Sequence, residues 1–514
     1  MKSPLFDILR ERVLVFDGAM GTQIQAAGLG PDDFGGPRWE GCNDYLSLTR
    51  PQVIEGIHAA YFDAGADVVE TNSFQASPLR LAEWGLADLA VEMNRAAAAI
   101  ARRVADRYAA RDGRPRFVAG SIGPSGMLPS SDDPDLGKLS LRDLVPVFEE
   151  QSRGLIEGGA DLLILETCQD MLEMKAQIFG ARAAMERVGR TVPIQSSVTL
   201  DPNGRMLLGT DIGGALATLQ ALRVDVIGLN CSTGPDLMRD SIRYLTQNAG
   251  VPVHCIPNAG LPINDGGRAV YPMRPEPMAE TLREFVNENG VNIVGGCCGT
   301  TPDHIRAIVA AVGGRRPGPR PGRGPWMVSS GMTAVALRQE PAPMMIGERL
   351  NTQGSRKVKQ LALEDRLEEL VPVARGQVDG GAHTLDVCLA LTERTDEAAQ
   401  MKRLVKKLAL SVEAPLCIDS TEAAVIEAAL ETYPGCGIVN SINLENGRER
   451  VDAVMPLVMK HGAQDSTQRG TAMAEFEAMM PRRSQHNPGN EVPEEHWAYR
   501  FAKKHWFFGF GAYS

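Results

Sequence analysis

A recurrence of short apolar runs and longer helical stretches fills residues 1–312 and limits the folds open to this chain. The eight runs are residues 13–16, 67–71, 117–121, 162–166, 194–199, 226–230, 253–257 and 293–296. Each run is followed by an amphipathic or alanine-rich segment long enough for a crossover helix. Continuous apolar strands that alternate with helices indicate a buried parallel sheet. Eight such units predict an α/β fold, a closed (β/α)8 TIM barrel.

A doubly wound open sheet is the alternative to the barrel. No Gly-x-Gly-x-x-Gly turn follows the first run, which argues against the dinucleotide-binding form of that fold.

A second unit follows a segment that contains only Gly, Pro and Arg, at residues 313–325. Such a composition cannot form a core, so we predict an extended linker over residues 313–342. The strand–helix alternation then resumes, with runs at 344–347, 384–387, 416–419 and 438–441. Four strands predict the N-terminal half of a second (β/α) barrel at residues 343–463.

The composition changes again after residue 463. The last 51 residues hold nine of the 27 aromatic residues and three of the eight histidines, and no parallel-strand pattern continues there. We therefore predict that residues 464–514 are an atypical tail, foreign to the unit that they follow.

The charge balance and the cysteine content exclude several functional classes. The net charge of −11 gives no general attraction to nucleic acid or to anionic lipid. Charged residues interrupt the N-terminus before a signal-peptide core can form, and no apolar stretch reaches membrane-spanning length. Nine cysteines in 514 residues are too sparse for a secreted disulfide scaffold. We expect a cytoplasmic protein with reduced thiols.

Three cysteines lie at the ends of two predicted strands. Cys231 follows the sixth run, and the pair Cys297 and Cys298 follows the eighth. Active sites of such barrels lie at the C-terminal ends of the strands, where these sulfurs can converge. Adjacent strand residues point to opposite faces, so the pair needs a kink, which the flanking glycines permit. Three thiolates without an obvious fourth ligand predict a zinc site with one position open for substrate.

The alternative is that Cys231 is a core residue and that Cys297 and Cys298 are a chance pair or a vicinal disulfide. A single cysteine favours that interpretation. The coincidence of all three cysteines at near-neighbour strand ends favours the metal site.

The first unit resembles the homocysteine-binding barrel of the homocysteine methyltransferases. The resemblance covers nearly all of residues 1–312 and is carried by FDGAMGT (16–22), ETNSF (70–74), GLNC (228–231) and GGCCGT (295–300). It implies that the three cysteines bind zinc and that the thiolate of homocysteine completes the tetrahedron.

The same resemblance implies that Asp17 and Glu166 hold the amino group of homocysteine, and an ammonium group does require an anionic partner. Without the resemblance, the alternatives are a loop-turn role for Asp17 and a helix-cap role for Glu166. We also predict that backbone amides of the segment Ser121–Pro124, those of Ser121 and Gly123 in particular, receive the substrate carboxylate.

The second unit resembles the pterin-binding barrel of the cobalamin-dependent methionine synthases. The resemblance is carried by MIGERLN (345–351), LDV (385–387), CIDS (417–420) and VNSI (439–442), and by the order of the two units. It implies that Asp419 and Asn440 hydrogen-bond the pterin ring, with Asn351 and Asp386 as neighbours. It also implies 5-methyltetrahydrofolate and methylcobalamin as the methyl-donor system.

The chain departs from that family in two respects. Only four of the eight pterin-barrel strands are predicted, and no Asp-x-His-x-x-Gly sequence of the type that ligates cobalamin is present. We therefore expect cobalamin on another domain or protein. Two alternatives remain open: a stand-alone methyltransferase that uses betaine or S-methylmethionine, and a non-catalytic zinc or thiol module.

Overall fold

The structure is a computed structural model that describes residues 3–266, 268–440 and 448–465. The strands of the first unit are β1 (Leu14–Val15), β2 (Val68–Glu70), β3 (Phe117–Ile122), β4 (Leu162–Cys168), β5 (Ile194–Val198), β6 (Val226–Asn230), β7 (Val253–Ile256), β8 (Ile263–Asp265), β9 (Arg268–Val270) and β10 (Ile293–Val294). The later strands are β11 (Met327–Ser329), β12 (Ala334–Ala336), β13 (Ile346–Asn351), β14 (Thr384–Cys388), β15 (Leu416–Asp419), β16 (Ile438–Asn440) and β17 (Gln464–Asp465).

Helices separate the strands in both units. Those of the first unit are α1 (Pro4–Leu9), α2 (Met20–Ala26), α3 (Leu46–Thr49), α4 (Pro51–Asp63), α5 (Pro78–Ala82), α6 (Ala90–Asp112), α7 (Leu141–Glu157), α8 (Met171–Val188), α9 (Ile212–Ala221), α10 (Arg239–Asn248), α11 (Pro275–Glu284) and α12 (Pro302–Val312). Those of the second are α13 (Arg356–Leu363), α14 (Val371–Asp379), α15 (Glu397–Ser411), α16 (Ala423–Leu430) and α17 (Glu449–His461). Short 3-10 turns occur at Pro31–Phe34, Pro37–Trp39, Asn43–Tyr45, Ala87–Leu89, Pro235–Met238 and Leu367–Leu370, and a π turn at Phe285–Asn289.

Eight parallel strands form the barrel of the first unit, in the order β1-β10-β7-β6-β5-β4-β3-β2. The two outer strands of that order also meet, through a parallel bridge between Phe16 and Val68. There the Asp17 amide donates to the Val68 carbonyl at 3.0 Å, and the Asp67 amide donates to the Val15 carbonyl at 2.7 Å. The predicted (β/α)8 barrel is confirmed, and every predicted run overlaps one of its strands.

Close helix packing on one side of this barrel depends on glycines. A Cβ added at Gly154 of α7 would lie 2.6 Å from the Val91 carbonyl oxygen of α6. One added at Gly180 of α8 would lie 2.7 Å from the Glu149 amide nitrogen of α7. Because atoms cannot approach this closely without displacement, larger residues would push the three helices apart.

An antiparallel hairpin, β8–β9, is inserted between β7 and α11. It is not predicted from the sequence, because each of its strands has only three residues and half of the six are polar, so neither strand forms an apolar run. The hairpin lies in the loop that follows β7 and therefore belongs to the C-terminal face of the barrel.

The second unit contains a parallel sheet of five strands, β13 to β17, in sequential order. The prediction of four strands was therefore short by one. The residues Gln464–Asp465, which the composition assigned to the tail, pair with β16. Two polar residues carry no apolar pattern, so only their pairing identifies them as a strand. The rest of the predicted tail, residues 466–514, lies outside the described residues.

The linker is anchored on the first unit rather than being a free spacer. The Arg320 guanidinium donates to the carbonyls of Thr246, Ala249 and Val251 near the end of α10. Farther on, β11 and β12 form a hairpin. The hydroxyl group of Ser329, on β11, is hydrogen-bonded to the hydroxyl group of Thr218, on α9, at 2.9 Å. A composition of Gly, Pro and Arg excludes a core, but it does not exclude hydrogen bonds to exposed carbonyls.

A buried lysine connects the two units directly. The Lys175 ammonium, on α8, donates to the carbonyl oxygens of Tyr433 at 2.8 Å and Gly435 at 2.7 Å. Burial lowers the pKa of Lys175 to about 7, since an apolar environment disfavours the charged form.

Among the described residues, no helix combines the length and the apolar character needed to cross a bilayer.

Candidate metal centre and substrate pocket

The three predicted ligands converge at the C-terminal end of the first barrel. Cys231 follows β6, and Cys297 and Cys298 follow β10, and their sulfur atoms all lie within 4.8 Å of one another. The Sγ atoms of Cys231 and Cys298 are 3.9 Å apart. A Zn–S bond of about 2.3 Å in a tetrahedral site separates two sulfurs by about 3.8 Å. The three thiols therefore match the dimensions of a zinc site.

The backbone at these strand ends departs from regular strand geometry, which brings adjacent cysteines to one side. Cys231 and Ser232 have φ values of +61° and +60°, and Gly299 has φ +80°. At Gly296, an added Cβ would lie 2.5 Å from the Thr300 hydroxyl oxygen, so this approach requires glycine. Left-handed conformations at non-glycine residues are costly and cluster at functional sites.

The sulfur atoms share protons unequally. Hydrogen bonds from Cys231 and then Cys297 lower the pKa of the Cys298 thiol to about 3. Hydrogen bonds with Cys231 and Cys298, together with burial, raise the pKa of Cys297 well above its usual range. All nine cysteines are unpaired thiols in the structure, so the vicinal disulfide is not formed. The lowered pKa of Cys298 favours its thiolate form, which is the form that binds metals.

Three carboxyl groups lie beside the sulfur cluster, those of Asp17 and Glu166, which are buried, and that of Glu70, which is half-buried. The side chains of Asp17 and Glu166 have exposed fractions of only 2% and 6%. The Glu70 amide donates to Asp17 Oδ2 at 3.1 Å. Burial raises the pKa of Glu166 to about 7. Burial also raises the pKa values of Asp17 and Glu70 well above their usual range, with the negative charge of Glu166 adding to both shifts.

These raised pKa values indicate that the carboxyl groups are short of compensating positive charge. A ligand with an ammonium group would supply that charge. The structure therefore brings the two carboxylates of the sequence prediction together with a third.

Ser121 and Gly123 take part in the pocket differently from the prediction. The Ser121 amide already donates to the Thr71 hydroxyl at 2.9 Å, and the Gly123 amide donates to the Phe74 carbonyl at 2.9 Å. Both amides are thus already hydrogen-bonded within the protein, which argues against their receiving the substrate carboxylate. The Ser121 hydroxyl instead donates to Glu166 Oε1 at 2.5 Å and holds that carboxyl group in place.

The loop that follows β3 is held by buried side chains of α8. The Ser125 amide and hydroxyl both donate to Glu173 Oε1, at 2.7 and 2.5 Å. The Gln177 side chain donates to the Gly123 carbonyl at 3.1 Å. Glu173 is fully buried, and its Oε2 has no hydrogen-bond partner in the described part of the chain. Burial raises the pKa of Glu173 to about 8.

We predict that Glu173 makes the protein less stable as the pH rises from about 4.5 to 8. An unfolded glutamate releases its proton near about pH 4.3, whereas the folded carboxyl keeps it up to about 8. Between these values the folded chain holds the extra proton, so its free energy of unfolding falls with rising pH, by a few kcal/mol at most. Glu173→Gln should flatten this dependence, as measured by urea unfolding at pH 5 and pH 8. Parallel pH profiles for the two proteins would contradict the prediction.

Two further residues at the site were not singled out from the sequence. Glu70 lies within the segment 70–74 that carried the family resemblance and ends β2, so its position was a usable signal. Tyr271 follows the β8–β9 hairpin, and a Cβ added at Gly299 would lie 2.2 Å from the Tyr271 Cβ. The Tyr271 phenol contributes to lowering the pKa of Cys298. No sequence signal identified Tyr271, because the hairpin itself was not predicted.

The predicted pterin residues also lie together, at the C-terminal ends of neighbouring strands. The Asn351 side-chain nitrogen lies 3.1 Å from Asp386 Oδ2 and 3.4 Å from Asp419 Oδ2. Asn440 is the register partner of Asp419 across β15 and β16. Burial, with a contribution from the charge of Asp419, raises the pKa of Asp386 to about 6. The cluster thus offers both carboxylate and amide groups to a hydrogen-bonding ring.

Family models match both units. The model described as homocysteine S-methyltransferase matches residues 14–312, and the one described as pterin binding enzyme matches residues 347–474.

Curated relatives cover most of this chain. It is 44% identical over 463 residues to a methionine synthase of Mycobacterium tuberculosis and 43% identical over 468 residues to one of Mycobacterium leprae. Each alignment covers 89% of this chain but only 38% of the relative, so the chain spans well under half the length of these proteins.

Among solved structures, the chain is similar to the oxidized form of the homocysteine methyltransferase MmuM from Escherichia coli. The match has a TM-score of 0.49 and 24% sequence identity, and it covers 60% of this chain and 99% of that one.

Proposed function

The chain belongs to the homocysteine S-methyltransferase family, and from that premise we propose that its first barrel methylates the thiol of homocysteine to give methionine. The observation that carries this proposal is the cluster of Cys231, Cys297 and Cys298, with Sγ atoms within 4.8 Å of one another. Three sulfur ligands leave one position of a tetrahedral zinc site for the substrate. Zinc bound there would deprotonate the thiols and keep the substrate sulfur nucleophilic.

The carboxyl groups beside the cluster would bind the other end of the substrate. Asp17 and Glu166 are buried, and an arriving ammonium group would favour their ionised forms. With the amino group held there, the substrate thiol reaches toward the cysteines. In the methyl transfer, a bond forms between the sulfur and the methyl carbon. The bond between the methyl group and its carrier breaks, and its electron pair stays with the carrier.

We propose 5-methyltetrahydrofolate and methylcobalamin as the donor system, because a pterin-binding unit follows the first barrel. Asn351, Asp386, Asp419 and Asn440 would contact the pterin ring. Cobalamin would be supplied free or by another domain or protein.

An assay of homocysteine methylation with three donors tests this function. We expect methionine from methylcobalamin, and none from betaine or S-methylmethionine, when each is added to the reduced, zinc-loaded chain. Activity with betaine or S-methylmethionine alone would overturn the proposed donor but retain the methyltransferase. Absence of zinc from freshly reduced protein, together with no activity, would favour a non-catalytic thiol module.

A further inference from the structure

The side chain of Asn230 lies between the sulfur cluster and the carboxyl groups. Asn230 is the last residue of β6 and is 1% exposed. Its side-chain nitrogen lies 3.1 Å from Glu166 Oε2 and 3.9 Å from Cys297 Sγ. Cys231 is the next residue in the chain. Asn230 therefore contacts Glu166, a predicted ligand of the substrate ammonium, and Cys297, a predicted zinc ligand. It is also joined through the backbone to Cys231, a second predicted zinc ligand.

Asn230 also holds the irregular end of β4. The Thr167 amide donates to Asn230 Oδ1 at 2.8 Å, and Asn230 Nδ2 donates to the Thr167 hydroxyl at 2.8 Å. Thr167 has φ +58°, a conformation that is unfavourable for a β-branched residue. The pairing of β4 with β5 is irregular between Leu165 and Cys168. Since such strain persists only where the surroundings enforce it, these two hydrogen bonds fix the bend that carries Glu166.

The orientation of Asn230 is itself set by Ser197. The Ser197 hydroxyl, on β5, donates to Asn230 Oδ1 at 2.7 Å. With Oδ1 receiving two donors, Nδ2 must face Glu166 and Cys297. The neighbouring Ser196 is equally buried, but its hydroxyl has no hydrogen-bond partner among the residues that the structure describes.

We propose that Asn230 is a positioning residue that fixes the distance between the sulfur site and the ammonium site, and thereby selects homocysteine over cysteine. The inference rests on the proposed function. The two amino acids differ by one methylene group between sulfur and amino group, so only a fixed separation of the two sites distinguishes them. A pocket that discriminates by one methylene changes binding by about 10- to 200-fold.

The test compares Ser197→Ala with Ser196→Ala as the matched control, and adds Asn230→Ala as the direct variant. The readouts are zinc content and the dissociation constants of homocysteine and cysteine, measured by calorimetry on the zinc-loaded full chain. We expect Ser197→Ala to retain zinc but to reduce the preference for homocysteine over cysteine by about 3- to 10-fold. Asn230→Ala should reduce the preference for homocysteine by a larger factor, and Ser196→Ala should leave that preference unchanged.

Three results would overturn the inference. An unchanged preference in both Ser197→Ala and Asn230→Ala would show that Asn230 does not set the distance. An equal change in Ser196→Ala would show a general effect of altering β5. Loss of zinc from Asn230→Ala, with an unchanged preference in Ser197→Ala, would assign Asn230 to support of the metal site only. Failure of the wild-type chain to bind homocysteine would instead overturn the proposed function together with the inference.

Discussion

Replacement of Cys297 or Cys298 by alanine is expected to abolish zinc retention while leaving the barrel folded. The site offers three sulfur ligands in the described part of the chain, so each substitution removes a third of the protein's ligand set. Substitution of groups that only support metal ligands costs about 10- to 100-fold in affinity, and loss of a ligand should cost more than that. Metal analysis after dialysis against a chelator, with circular dichroism for the fold, measures both effects.

Cys255→Ala is the matched control for this experiment. Cys255 is fully buried in β7, between the two strands that carry the cluster, but its Sγ lies 3.8 Å from the Met238 sulfur rather than in the cluster. The Cys255→Ala variant should therefore retain zinc as the unaltered protein does. Tight zinc binding by Cys297→Ala or Cys298→Ala would show that the ligands are misassigned.

Glu166→Gln is expected to weaken homocysteine binding by about 10- to 100-fold without emptying the metal site. A hydrogen bond to a charged group contributes about 1.5–3 kcal/mol, and glutamine removes the charge that would pair with the substrate ammonium. Glutamine keeps the shape of the side chain, and the Ser121 hydroxyl can still hydrogen-bond to it. Calorimetric titration with homocysteine, together with zinc analysis of the same sample, separates the two effects.

Glu173→Gln provides the comparison, because Glu173 is also a buried carboxyl that accepts from a serine hydroxyl. It contacts the loop after β3 rather than the sulfur cluster, so its substitution should change homocysteine affinity by no more than a few fold. Unchanged affinity in Glu166→Gln would count against the assigned role of Glu166. Loss of zinc from that variant would show that Glu166 supports the metal centre instead.

The unpredicted parts of the fold share a physical origin. The strands of the β8–β9 hairpin have only three residues each, and the fifth strand of the second sheet has only two, both polar. Hydrogen bonds to a partner strand stabilise these elements, whereas sequence patterns indicate a strand or helix only where apolar residues recur along the chain.

The sequence by itself determined the barrel and its sulfur cluster. Strand–helix periodicity is a local property, and a closed barrel brings the ends of its strands to one face regardless of their separation in sequence. The sequence alone therefore predicts that Cys231, Cys297 and Cys298 lie together.

Only the tertiary structure decided which polar groups meet at that face. It added Glu70 to the carboxyl groups, turned the Ser121 hydroxyl toward Glu166, and placed Asn230 between Glu166 and Cys297. It also showed that the linker is anchored through Arg320. Each of these contacts joins atoms from segments far apart in the chain, and its existence depends on side-chain orientation and distance, which no pattern along one segment contains.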